Sequence, residues 1–162
     1  MRWTLIIFLV LNSAHLISVK GQDSVSAKAL QTLFAQSYKQ EIGLSNVWKA
    51  NNEDSAYYKN DTIQLINNVN ARVGCNSVEW RMEGKSRIGF TRVHHCREPP
   101  VETLIFQNHK LSLRFSDNAD FTTLTLGRKS GPVEIFEVLD LKEIILWEGG
   151  DRAFQLSLRR IH

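Results

Sequence analysis

The stretch "CNSVEWRMEGKSRIGFTRVHHC", Cys75 to Cys96, decides the fold. Before the turn-forming "EGKS", Val78, Trp80 and Met82 alternate with Glu79, Arg81 and Glu83. Such a period of two marks a strand with one face buried. Residues 76–83 and 88–95 then read as the two arms of a hairpin. Setting Cys75 opposite Cys96 leaves the four residues Gly84–Arg87 as the turn, a common hairpin length. The same register sets Val78 against Val93, Glu79 against Arg92 and Ser77 against His94, so apolar meets apolar and acid meets base. Directly opposed residues lie about 4.5–5.5 Å apart, within reach of a disulfide. A Cys75–Cys96 bridge is therefore expected, and it uses both cysteines of the chain.

That reading settles the run His94-His95-Cys96. Neighbours on a strand point to opposite faces, so the two imidazoles do not converge on one metal. Neither an HExxH pattern nor paired zinc-type cysteines are present. A cysteine held in a disulfide has no thiolate to act as a nucleophile. No metal, catalytic or cofactor-binding residue is expected here.

Downstream the period of two continues. Leu111, Leu113 and Phe115 alternate with Ser112, Arg114 and Ser116, and Phe154, Leu156 and Leu158 with Gln155, Ser157 and Arg159. The segments 101–107, 121–126, 133–139 and 143–147 are rich in β-branched and aromatic residues, and turn chemistry ("QNHK", "SDNAD", "GRKSGP", "EGGDR") separates them. An apolar spacing of 20 residues (Val101, Leu104, Phe106; Phe121, Leu124, Leu126; Leu141, Ile144, Leu146) fits strand-turn-strand units. The asparagine ladder of a leucine-rich repeat is missing, since His109, Lys129 and Gly149 stand in its place.

Upstream the reading is helical. Leu30, Leu33, Phe34, Tyr38 and Ile42 follow helical spacing, with Ser24 or Ser26 as a cap and Gly43 as a stop. After the polar connection Asn51–Asp61, a second helix from Asp61 or Thr62 is expected on the stripe Ile63, Ile66, Val69 and Val73, stopped by Gly74. The expected fold class is α+β: two N-terminal helices, then an antiparallel β-meander of about 6–8 strands curled around or packed on them. An up-and-down β-barrel with N-terminal helices is the alternative. The element order resembles cystatin-like and nuclear-transport-factor-like rolls. That likeness implies no activity, and the cystatin pattern Gln-x-Val-x-Gly is absent.

Residues 1–21 read differently. Arg2, the apolar run Trp3–Leu11 and the small Gly21 form a secretory signal peptide pattern, with cleavage expected after Gly21. The run is too short to span a bilayer. The whole chain has 20 basic and 17 acidic residues. Losing Arg2 and Lys20 leaves 18 basic against 17 acidic, a net charge of +1 on a single domain of residues 22–162. That balance argues against nucleic-acid binding. A domain of this size buries nearly 70% of its unfolded surface and needs few disulfides. Asn60-Asp61-Thr62 is an N-glycosylation sequon, so Asn60 is a candidate glycan site.

There is no nucleophile elbow, phosphate loop or calcium loop. Trp48, Trp80 and Trp147 read as core material, with a ligand lining as the lesser reading. "LGRK", Leu126–Lys129, and Arg159-Arg160 resemble peptide-processing signals, but patterned strands flank them. The expectation is a secreted, extracellular, non-enzymatic binding or interaction protein, disulfide-bonded and glycosylated. It has no cofactor, and its partner is an extracellular protein or a small apolar ligand. A small enzyme without a linear motif and a peptide precursor are the alternatives.

Overall fold

The computed structural model describes residues 25–41, 43–104, 110–146 and 150–162; the side chain of Leu104 is not described. The signal-peptide pattern, Ser24, Ile42, Phe106, His109 and Trp147 lie outside these residues. Helix α1 (Ala27–Lys39) leads into strand β1 (Val47–Asn51), a 3-10 turn (Glu53–Ser55) and the single-turn helix α2 (Ala56–Lys59). Eight strands follow: β2 (Thr62–Asn67), β3 (Asn76–Gly84), β4 (Arg87–His94), β5 (Val101–Leu104), β6 (Leu111–Asp117), β7 (Thr122–Arg128), β8 (Gly131–Ile145) and β9 (Arg152–Arg160).

All pairings are antiparallel, in the order β3-β1-β2-β9-β8-β7-β6-β4-β5, with β3 also pairing β4. The sheet thereby closes into an eight-stranded barrel, with β5 as an extra strand on the edge of β4. The barrel of the alternative reading is present, though its strand order is not a simple up-and-down one, and neither the pair of N-terminal helices nor a meander curled around or packed on them is. Among the described residues α1 alone precedes the strands, and α2 lies between β1 and β2.

The second helix is a misreading. Residues 62–67 form β2, and Ile63, Leu65 and Asn67 are buried at the strand period of two. The helical stripe was coincidental: Ile66 is only half-buried and Val69 is 66% exposed. Thr62, Ile63 and Ile66 are β-branched, and Asn67, Asn68 and Asn70 disfavour helix, so local propensity and the barrel agree on a strand.

β1 sits between β2 and β3 and is antiparallel to both, so β2 and β3 run in the same direction. Segment 68–75 must then travel back along the outside of β1. Lys49 Nζ pins it by donating to the carbonyls of Val69 (3.4 Å) and Ala71 (3.2 Å). Ala71 and Val73 of this segment are buried.

The β3–β4 hairpin forms with a corrected register. Trp80 faces Phe90, Met82 faces Ile88, Val78 faces Arg92 and Ser77 faces Val93, one residue off the expected alignment. A bulge at Glu83 near the turn absorbs the shift, so Gly84 pairs with Arg87 and only Lys85-Ser86 turn. At the other end the observed register runs on, the His95 amide donating to the Cys75 carbonyl at 2.7 Å, so Cys96 lies one residue beyond the position opposite Cys75. Cys75 and Cys96 are still bonded as expected, with Cα atoms 5.1 Å apart. Glu79 lies opposite Thr91 rather than Arg92. Register follows the need to point Trp80, Met82, Ile88 and Phe90 inward together, which outweighs one acid-base pair.

Segments 133–139 and 143–147, expected as two strands, lie largely within one 15-residue strand, β8, with an irregularity between Val138 and Asp140. Helix α1 starts as expected, with Ser26 Oγ accepting from the Ala29 amide at 3.2 Å. It ends earlier, at Gln40 in the left-handed conformation. Leu30, Leu33 and Phe34 are buried, while Tyr38 is 41% exposed. Ala27 N donates to Asp117 Oδ1 at 2.7 Å, and the Thr122 hydroxyl lies 2.7 Å from the same oxygen and 2.6 Å from Val25 O. These contacts seat α1 on the β6–β7 end of the barrel.

The disulfide closes a sequence separation of 21 residues. Chain entropy values such a loop at about 3 kcal/mol, less where the hairpin persists in the unfolded chain. Cys75→Ser is expected to lower the thermal midpoint and leave one free thiol, while thiol titration of the denatured, unreduced native chain finds none.

Candidate functional site

A closed barrel has two ends, and each must be filled or left open to a ligand. Here chain segments fill both, with different chemistry. At the α1 end, the Phe34 ring stacks on Trp48 with centroids 4.7 Å apart and planes 5° from parallel, and Phe115 tilts against Phe34 at 5.2 Å. The polar atoms there satisfy one another. Trp48 Nε1 donates to Ser37 Oγ at 3.2 Å, and Ser37 Oγ donates to the Ser45 carbonyl. Asn67 Nδ2 reaches Ser45 O at 2.7 Å and Val47 O at 3.2 Å, and Asn67 Oδ1 accepts from the Ser45 amide at 3.0 Å. A buried network this complete fixes a core.

The α2 end is charged and aromatic. Tyr57, on α2, is 1% exposed and projects into the barrel. Its hydroxyl accepts from Trp80 Nε1 at 3.0 Å and lies near the Glu134 carboxylate. Phe90 meets Trp80 at 5.4 Å, and Phe136 meets it at 5.9 Å. The Arg160 guanidinium lies over Tyr57 (5.1 Å) and Phe136 (5.5 Å). It donates to the carbonyls of Tyr57 (2.6 Å) and Asn60 (2.5 Å) and sits 3.6 Å from Glu134. Arg160 thus ties α2 to the end of β9.

Electrostatics sharpen the contrast. Burial holds the Glu134 carboxyl above its ordinary value, against the opposing pull of Arg160 and the Tyr57 hydroxyl. Burial, reinforced by the Glu134 charge, pushes the Tyr57 phenol well above 10.0. Desolvation outweighs pairing in both groups. The entry to α2 is strained as well: Asp54 (φ 50°) and Ser55 (φ 65°) are consecutive non-glycine residues in the left-handed region. Such conformations cost of order 1 kcal/mol each and persist where surrounding structure over-determines them. An external cleft of about 260 Å³ between α2, β1 and β2 borders Tyr57 and Asn60.

The residues singled out by sequence fall as follows. Cys75 and Cys96 are joined. Asn60 is exposed at the end of α2. His94 Nδ1 lies 2.7 Å from Asn76 Oδ1, while His95 Nε2 lies 2.8 Å from Ser77 Oγ and 3.5 Å from Glu79 Oε1, so the two rings engage different partners. Among the described residues no group of three His, Cys, Asp or Glu is placed to hold a metal. Trp48 and Trp80 are fully buried and face each other across the β1–β3 ladder, the first donating to Ser37 of α1 and the second to Tyr57 of α2. Arg128 ends β7 and Lys129 opens the β7–β8 turn, with the buried Leu126 and Phe136 on either side.

Tyr57, Glu134 and Phe136 were not singled out from the sequence, and Arg160 was noted only as half of a basic pair. The paired tyrosines inside a polar connection were the available signal for α2. Glu134 and Arg160 offered none, because they meet only through the β8–β9 pairing. No family model, curated protein or solved structure matches the chain.

The raised Glu134 group and the lowered Asp117 group give stability opposite pH dependences. Asp117 is held below its ordinary 3.8, chiefly by Thr122 and then by the Ala27 amide. Its stabilisation is present above that value and is lost as pH falls through the folded pKa. Ionising Glu134 in the folded state costs stability, so stability falls as pH rises from 4.5 through its raised folded value. Denaturant midpoints measured from about pH 2 to pH 8 are expected to lose the second decline in Glu134→Gln and to show a shallower acid limb in Asp117→Asn.

Proposed function

We propose that this is a secreted, non-enzymatic binding protein that admits a small, largely apolar ligand at the α2 end of its barrel. The observation that carries the reading is the set Tyr57, Trp80, Phe90 and Phe136, served by two partly buried ionic groups, Glu134 and Arg160. Apolar and aromatic walls with a few placed polar groups are the composition of small-molecule sites. The aromatic side chains occupy the interior, so a ligand enters by displacing Tyr57. The strained, one-turn α2 is the segment whose movement costs least. Loss of the Trp80–Tyr57 hydrogen bond is compensated when the ligand presents an acceptor to the indole.

Secretion rests on Arg2, the apolar run Trp3–Leu11 and Gly21 in the sequence. The Cys75–Cys96 disulfide fits an oxidising compartment, and no helix among the described residues is long and apolar enough to cross a membrane. The exposed Asn60 is proposed as the glycan acceptor, beside the α2 end of the barrel. The precursor reading is weaker than binding. Cutting at Arg128-Lys129 separates β7 from β8, which pair from Thr122↔Val138 to Arg128↔Gly131.

Secreted material is expected to begin at Gln22 by intact mass and to shift in mobility on glycosidase treatment; retention of Arg2–Val19, or no shift, contradicts these assignments. Native mass spectrometry is expected to find a retained small molecule, and a fluorescent apolar probe to quench the Trp80 emission. Tyr57→Ala should raise the rate of probe entry at least severalfold. Ligand-free protein that ignores the probe in both forms would remove the interior site.

A further inference from the structure

Strand β8 is longer than its neighbour. β7 pairs with it only as far as Val138, while β9 follows it to Ile145. On residues 139–145, the edge away from β9 carries no strand among the described residues. The backbone N–H and C=O groups on that edge form a template for another strand. Leu139 is 37% exposed and Ile145 is 68% exposed. Glu143 has its counter-ion on the β9 side, Arg152 at 3.3 Å. No ion pair is recorded for Asp140 or Lys142 among the described residues.

We propose that this edge docks a second copy of the chain, β8 against β8, antiparallel about a two-fold axis through Leu141. A two-fold antiparallel pair must be centred on one residue facing itself, which leaves few registers. Centring on Asp140 or Glu143 opposes two carboxylates, and centring on Lys142 opposes two ammonium groups. Centring on Ile144 sets Lys142 against the apolar Leu146 and brings no opposite charges together. Centring on Leu139 requires pairing at Val138, which β7 already occupies. The register centred on Leu141 alone puts opposite charges together, Asp140 facing the copy's Lys142 twice, around a Leu141–Leu141 contact. Leu141 already packs against the core from its inner face, so the self-contact extends that core across the interface. Asp140 and Lys142 lie on the opposite, outer face of the strand.

The test uses the full secreted, glycosylated chain. Sedimentation velocity is expected to give a dimer. Asp140→Lys and Lys142→Glu singly should each weaken association about tenfold, equivalent to ~1.4 kcal/mol, and the double exchange should restore it. Under mild oxidation Leu141→Cys is expected to form an intermolecular disulfide, since facing residues lie within about 5.5 Å. Glu143→Cys should not, because the two copies of that residue stand about 13 Å apart along the strands. A wild-type chain that stays monomeric at the highest concentrations tested overturns the proposal. So does a dimer indifferent to both reversals, or cross-linking that favours Glu143→Cys.

Discussion

Everything in this fold depends on β1 having a partner on each edge. Trp48 pairs with Trp80 of β3 on one side and Asn67 of β2 on the other, so a five-residue strand converts a sheet into a closed wall. Closure removes exposed edges from those strands. It also forces segment 68–75 to double back outside β1, which explains the Lys49 hydrogen bonds to that segment. The side chain of Trp48 then links wall to plug, stacking on Phe34 and donating to Ser37 of α1.

Closure makes the two ends the only routes inside, and they are unequal. At the α1 end, neutral groups satisfy one another around Ser37, Ser45 and Asn67. At the α2 end, one tyrosine on a single helical turn does the sealing, held by Arg160 and facing a carboxylate whose ionisation burial opposes. The first arrangement stabilises; the second stores strain and charge at the segment proposed to admit a ligand. That difference, rather than any catalytic constellation, is the physical basis for reading the molecule as a binder.

Much of the sheet was legible because alternation is local. Val78-Trp80-Met82, Leu111-Leu113-Phe115 and Leu156-Leu158 announced β3, β6 and β9, and the cysteines announced a hairpin between them. What failed depended on distant partners. β1 shows only two inward residues, Trp48 and Ala50, too few for a period to register. β2 carries spacings compatible with either helix or strand, and its pairing with β1 and β9 joins its β-branched residues in deciding for the strand. The hairpin was placed one residue out because the cysteines, used as guides, are bonded one residue off direct opposition, and the bulge at Glu83 hides the shift at the turn. The α2 site was invisible for the same reason: Tyr57, Glu134 and Arg160 are brought together by topology alone.

The account stands on barrel closure through β1, and residue-resolved native-state hydrogen exchange tests it most directly. A closed barrel predicts that the ladder amides of β1 exchange as slowly as those of β8 and β9, through the same global opening. Near-unfolded exchange across Val47–Asn51, with β3 to β9 still protected, would mean that β1 is a frayed edge and that the barrel is open.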